Sequence, residues 1–157
     1  MKSLLSKNLT RELWEELKDT KDAHGFTFKE AILSGCQNVD SGIGCYAGSL
    51  DSYSAFAGLF DKIIEQYHGH KKGEIHESDM DHTKLKCPPF DAEDAKMIKS
   101  TRIRVGRNLA DLPLAPGISK EQRNTVEEKV VEACKKFTGE LEGKYYSLGG
   151  MSPEDQK

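Results

Sequence analysis

A chain of 157 residues has room for one ordinary domain, or for a small domain with part of another. Hydrophobic residues make up 36% and charged residues 31%, which suits a globular protein with a modest core, and a net charge of -3 argues against a nucleic-acid binder. No apolar run approaches the roughly 20 residues needed to cross a bilayer, and the first residues lack the apolar core of a signal peptide, so the chain reads as cytoplasmic.

Thr10 is placed to cap a helix carrying Leu13, Trp14 and Leu17 on one side and ending near Asp19. Thr27-Phe28-Lys29-Glu30 has the form of a capping box, and Gly35 is placed to end that second helix in the left-handed conformation. From Ser52 to about Tyr67, Phe56, Phe60, Ile63 and Tyr67 recur at helical spacing, which predicts one amphipathic helix packed on the first two. The polar stretch beginning at Lys71-Lys72-Gly73-Glu74, with Pro88-Pro89 inside it, reads as a linker. Beyond it, residues 97–105 alternate and are rich in β-branched side chains, which predicts a strand. Ser119-Lys120-Glu121-Gln122 is a second capping box and opens a long helix with Val126, Val130, Ala133, Cys134 and Phe137 inward. Ser152-Pro153-Glu154-Asp155 announces a further helix just before the sequence stops, which reads as truncation. The predicted fold class is therefore α+β: a helical domain over residues 1–72, a linker over 73–94, and over 95–157 the first strand and helix of an incomplete α/β domain.

The four cysteines, Cys36, Cys45, Cys87 and Cys134, form no Cys-x-x-Cys pair and read as free thiols, with Cys134 on the apolar face of its helix. His68-Gly69-His70 lacks a third ligand, so no metal site is expected, and the end of a helix accounts for His68.

Two constellations could carry chemistry. On a strand, Ser100, Arg102 and Arg104 share a face, with the two guanidiniums about 6 to 7 Å apart along it. Such a pair needs an anion or carboxylates between its members, and its planar donor forks match phosphate oxygens; a solvated strand face is the alternative. In Asp40-Ser41-Gly42-Ile43-Gly44-Cys45-Tyr46, two glycines can take positive φ and turn backbone N–H groups inward as an anion nest, with the Tyr46 hydroxyl at its rim. An ordinary glycine loop between helices is the alternative here.

Taken in order along the chain, these segments resemble the phosphagen kinases, which move a phosphoryl group between ATP and a guanidino compound. The matching stretches are Lys2-Ser3-Leu4-Leu5 with Leu9-Thr10, the run from Asn38 through Tyr46 to Ala47, and Tyr67-His68-Gly69. They continue with the run from Ser100 to Arg107, Gly139-Glu140-Leu141, Tyr145-Tyr146 and Gly150-Met151-Ser152. The resemblance implies that Ser41, Gly42, Ile43, Gly44 and Tyr46 form the guanidino specificity loop, whose N–H groups hold the substrate carboxylate. It implies that Ser100, Arg102 and Arg104 bind nucleotide phosphates, and that Asp40 pairs with an arginine of the other domain on closure. The Ser-Gly-Ile-Gly form resembles the arginine kinase branch, with taurocyamine or lombricine as alternative substrates. Implied substrates are ATP with Mg2+ and a guanidino compound, with no tightly bound cofactor, no nucleic-acid or membrane partner, and a monomer or homodimer. The family's catalytic glutamate and reactive cysteine find no match in these residues, so the chain alone is expected to be inactive. A non-catalytic truncated product, serving as a binding or dimerisation module, is the rival expectation.

Overall fold

The computed structural model describes residues 2–86 and 88–156, so Cys87 lies outside the described residues. Seven α-helices occur among them: α1 (Leu4–Asn8), α2 (Arg11–Leu17), α3 (Phe28–Gln37), α4 (Ser52–Ala55), α5 (Ala57–His68), α6 (Ala92–Met97) and α7 (Lys120–Cys134). None is long and apolar enough to cross a membrane.

Local caps start the helices where hydroxyls and carboxylates can take up orphan amides. Ser3 caps α1, Thr10 accepts from the Leu13 N–H at the start of α2, and Asp91 accepts from the Glu93 and Asp94 amides of α6. Both expected capping boxes form, Thr27 with Glu30 before α3 and Ser119 with Gln122 before α7. Gly35 does not end α3. It lies buried inside the helix, which runs on to Gln37. The single helix expected from Ser52 breaks in two at Phe56 (φ -111, ψ 24), whose fully buried ring packs against Phe28 and Phe60 at centroid distances of 5.4 and 5.8 Å. Tyr67, expected inward, is exposed.

The predicted strand is absent: among the described residues there is no β-strand, only an isolated bridge between Lys21 and Thr27. Met97 ends α6, and residues 98–109 run irregularly with Ile103 and Val105 exposed. A strand exists through hydrogen bonds to a neighbour, and no described segment supplies one here. The α+β expectation is thus corrected to an all-helical arrangement over the described residues. Likewise α7 forms where expected but buries none of its residues, and Cys134 and Val130 are exposed. At Ser152 the cap forms, its Oγ accepting from the Asp155 N–H at 3.2 Å, but only a turn follows among the described residues.

The core is built from the first 63 residues. Leu5, Leu13, Leu17, Phe28, Ile32, Phe56, Leu59, Phe60 and Ile63 are buried together. Trp14 joins them, its ring 6.2 Å from that of Phe28. An amide pair ties α1 to α5, Asn8 Nδ2 donating to Gln66 Oε1 at 2.9 Å and Gln66 Nε2 to Asn8 Oδ1 at 3.1 Å.

A buried carboxylate fixes the connections between these helices. Asp22 Oδ1 accepts from the N–H groups of His24 (2.9 Å) and Phe26 (3.0 Å), and Oδ2 accepts from the hydroxyls of Ser49 (2.7 Å) and Ser52 (2.5 Å). Ser52 Oγ in turn accepts from the N–H groups of Gly48 and Ser49. Burial pushes the Asp22 carboxyl up, but the bonds from Ser52, Ser49, Phe26 and His24 outweigh it and hold it below the usual carboxylate range.

A carboxyl that ionises more readily when folded stabilises the fold fully above the pH range where the unfolded carboxyl titrates, about pH 4. That stabilisation drains away as the pH falls through the lower folded value. Asp22→Asn should lower the unfolding free energy by about 3 kcal/mol at neutral pH, since an amide puts a donor where hydroxyls already donate. Urea unfolding at pH 7 and at pH 3 checks both points: the difference between wild type and variant should shrink in acid.

Candidate functional site

The glycine loop is placed by bonds to its carbonyls. The N–H groups of Leu4 and Leu5, at the start of α1, donate to Gly42 O and Ile43 O, each at 2.9 Å. The Gly35 N–H donates to Gly44 O at 3.0 Å, and the Tyr46 N–H donates to Ala31 O at 2.8 Å. Ala31 and Gly35 are one turn apart on α3, so the loop lies along one rung of that helix. This approach is why residue 35 is glycine: a Cβ there would lie 2.2 Å from Gly44 O.

The N–H groups of Gly42, Ile43, Gly44 and Cys45 make no hydrogen bond within the described residues, whereas those of Ser41 and Tyr46 bond to Asn38 O and Ala31 O. Three successive carbonyls are held by the fold, and the four N–H groups of residues 42–45 have no partner among the described residues. A row of free backbone donors suits a carboxylate or another oxyanion. Only Gly44 of the two loop glycines has positive φ, at 91°, and a Cβ on it would lie 2.9 Å from Leu5 Cβ. The expectation that Gly42 shares this conformation is corrected; a Cβ on Gly42 would meet nothing within 4 Å.

Beside the loop, facing α5, lies a cavity of about 230 Å³ lined by Ile43, Cys45 and Tyr46 from the loop and by Tyr53, Tyr67 and His68 across from them. Burial pushes the Cys45 thiol up to about 11, so it stays neutral and serves as packing. His68 ends α5 with its ring edge-on to Tyr67, and the His70 ring lies tilted against that of His76 with Glu74 at 3.4 Å from its Nδ1. No group of three or more metal-ligating side chains is gathered among the described residues.

Ser41, Gly42, Ile43, Gly44 and Tyr46 thus sit together on one loop, with exposed Asp40 at its start. Ser100, Arg102 and Arg104 sit on the irregular segment after α6, all exposed, and neither arginine forms an ion pair or hydrogen bond with a described residue. That Leu4, Leu5 and Gly35 anchor the loop is not legible in the sequence, where Gly35 reads as a helix end. The hydroxyl cap at Ser3 was the available signal that a short helix begins there.

Residues 1–65 match the family model of the ATP:guanido phosphotransferase N-terminal domain. Over 152 residues the chain is 47% identical to an arginine kinase of Anthopleura japonica, covering 96% of this chain and 21% of that protein. Over 157 residues it is 45% identical to an arginine kinase of Haliotis madaka, covering 99% of this chain and 44% of that one. The chain belongs to the ATP:guanido phosphotransferase, or phosphagen kinase, family. It spans less than half the length of the curated relatives it matches. Among solved structures, a crystal structure of lombricine kinase superposes with a TM-score of 0.83 at 28% identity, over 99% of this chain and 42% of that one. A substrate-free duplicated taurocyamine kinase from Schistosoma mansoni gives 0.78 at 31% identity, over 98% of this chain and 22% of that one.

Within this phosphagen kinase chain the two loop glycines should behave differently. Gly44→Val should destabilise the protein by more than about 2 kcal/mol, from the strained φ and the collision with Leu5. Gly42→Ala should leave stability within about 0.5 kcal/mol of wild type. Thermal unfolding of the two variants, side by side, checks this contrast.

Proposed function

We propose that this chain carries the guanidino-substrate loop of an arginine kinase-like enzyme, which reversibly transfers the γ-phosphoryl group of Mg2+-bound ATP to the guanidino nitrogen of arginine. The observation that carries this reading is the row of four unbonded N–H groups at residues 42–45, on a backbone pinned through its carbonyls. Arginine presents a carboxylate to such a row while its guanidinium extends away from it. Ser41 and the Tyr46 hydroxyl border the same loop, and Ile43 gives the aliphatic chain an apolar neighbour. Ser100, Arg102 and Arg104 are proposed to bind nucleotide phosphates through charge-assisted bonds, and Asp40 to meet an arginine of the catalytic domain on closure. In-line phosphoryl transfer depends on positioning and on charge neutralisation around the phosphates, both of which such contacts serve. The corresponding division of the chain is a helical domain over 1–72, a linker over 73–94 and the start of the catalytic domain over 95–157, acting in the cytoplasm.

A second reading, a taurocyamine or lombricine kinase, is favoured by the structural likeness to those two enzymes. The same N–H groups donate to any small oxyanion, so the choice of substrate rests on the shape of the loop's surroundings.

Titration of the isotope-labelled chain with arginine should shift the amide resonances of Gly42, Ile43, Gly44 and Cys45 before any others, and more than taurocyamine or lombricine does. Shifts confined to other residues would overturn the loop assignment; larger shifts with a rival guanidine would select the second reading. A coupled assay with ATP, Mg2+ and arginine should show no turnover from these 157 residues. In the full-length enzyme, Arg102→Ala or Arg104→Ala should lower kcat/KM more than about tenfold, the loss of one charge-assisted phosphate contact. Wild-type kinetics in both variants would return these arginines to a solvated surface.

A further inference from the structure

The substrate loop is anchored on its leading side by α1 and α3, and its trailing side meets a distant part of the chain. Gly48, two residues past Tyr46, is buried. A Cβ on it would lie 2.2 Å from the Phe26 ring, so the ring rests directly on its backbone. Its N–H donates to Ser52 Oγ at 3.0 Å, inside the Asp22 network. Its carbonyl accepts the Leu114 N–H at 2.8 Å. A Cβ on Gly117 would lie 2.6 Å from Gly48 O and 3.1 Å from its carbonyl carbon and Cα.

The turn that reaches Gly48 is itself closed and rigid. The N–H groups of Gly117 and Ile118 both donate to Leu114 O, at 2.9 and 3.0 Å. Pro113 is buried, the Leu114 side chain packs against the core, and Pro113 and Pro116 fix φ on either side of Ala115. α7 begins at Lys120, three residues beyond Gly117.

We infer that the turn over residues 113–117 is a clamp for the trailing end of the substrate loop, with Gly117 a positioning residue for binding of the guanidino substrate's carboxylate. The inference rests on the function proposed above for that loop. The steric logic is one-sided. Gly48 cannot retreat from an added Cβ at Gly117, because the Phe26 ring blocks the other face. The turn must lift instead, breaking the Leu114–Gly48 bond and leaving the peptides after Tyr46 held on one side only, by the Ser52 hydroxyl and the Phe26 ring. The core of the first 63 residues does not include Gly117, so the loop loses its register while α3 stays intact. The same contact ties the start of α7 to the substrate loop, so displacement of one is felt by the other.

Amide hydrogen exchange and arginine titration of the full chain test this, comparing wild type with Gly117→Ala. Gly143→Ala is the control, since a Cβ there would meet nothing within 4 Å. In Gly117→Ala the Leu114 and Tyr46 amides should exchange about tenfold faster, the factor for losing one hydrogen bond from a local opening, with Ile32 and Leu33 of α3 unchanged. The dissociation constant for arginine should rise at least about fivefold. Leu114→Ala, a milder change, should give the same pattern with smaller effects if Gly117→Ala fails to fold. Faster exchange at Leu114 with none at Tyr46 would overturn the clamp, and so would equal acceleration throughout α3, which marks general destabilisation. Wild-type chain that shows the exchange coupling but ignores arginine would overturn the function reading instead, with the clamp then judged on exchange alone.

Discussion

A carboxylate buried in so small a core has to find a donor for each lone pair it turns away from water, and Asp22 finds four. Two come from the amides of its own tight turn, and two from serine hydroxyls 27 and 30 residues further on. This gathers the turn after α2 and the segment before α4 at one point. The Phe26 ring, the Gly48 peptide and the start of α4 all take their places from it. Hydrogen bonds to a charged acceptor are stronger than neutral ones and leave a larger deficit when one partner goes, so such a node fixes geometry more tightly than apolar packing does. The loop with free donors begins only a few residues before Gly48, and its trailing end inherits this fixed position.

Missing side chains hold the loop as well. Where Gly35 meets Gly44, and where Gly48 lies between Phe26 and Gly117, main chains approach closer than any Cβ allows. Contact at that distance uses backbone groups, so the shape of the loop is independent of most of the side chains it carries. Ile43 and Tyr46 stay exposed on a frame that does not need them. On the proposed function, substrate choice could then change through those side chains without disturbing the peptide groups that hold the carboxylate.

What was legible in the sequence was local. Thr10, Thr27 with Glu30, and Ser119 with Gln122 lie within a few residues of the amides they cap, and all three starts appear in the fold. The order of family segments along the chain was legible too, and it identified the family. Asp22 was not, because two of its four partners are remote and nothing near it distinguishes it from a surface aspartate. Gly35 was read as a helix terminator, since a glycine near a helix end has that local meaning; its real constraint is the approach of Gly44. The break at Phe56 follows from burying that ring between Phe28 and Phe60, which periodicity does not encode. The strand over 97–105 failed for a related reason, since alternation describes a face and a strand also requires a neighbour. Of the candidate site, the glycine loop was legible as a unit, while the carbonyl anchors that make its donors available were not.

The neutral thiol of Cys45, on the loop and lining the cavity beside it, has a kinetic consequence. At pH 8 a thiol held near 11 is ionised in only about one molecule in a thousand, and thiol reagents attack the ionised form. Cys45 is also only partly exposed, so its modification is slow on both counts. Cys36 and Cys134 are already exposed and face no such delay. The rate of labelling at Cys45 therefore reports how closely the glycine loop holds to its surroundings.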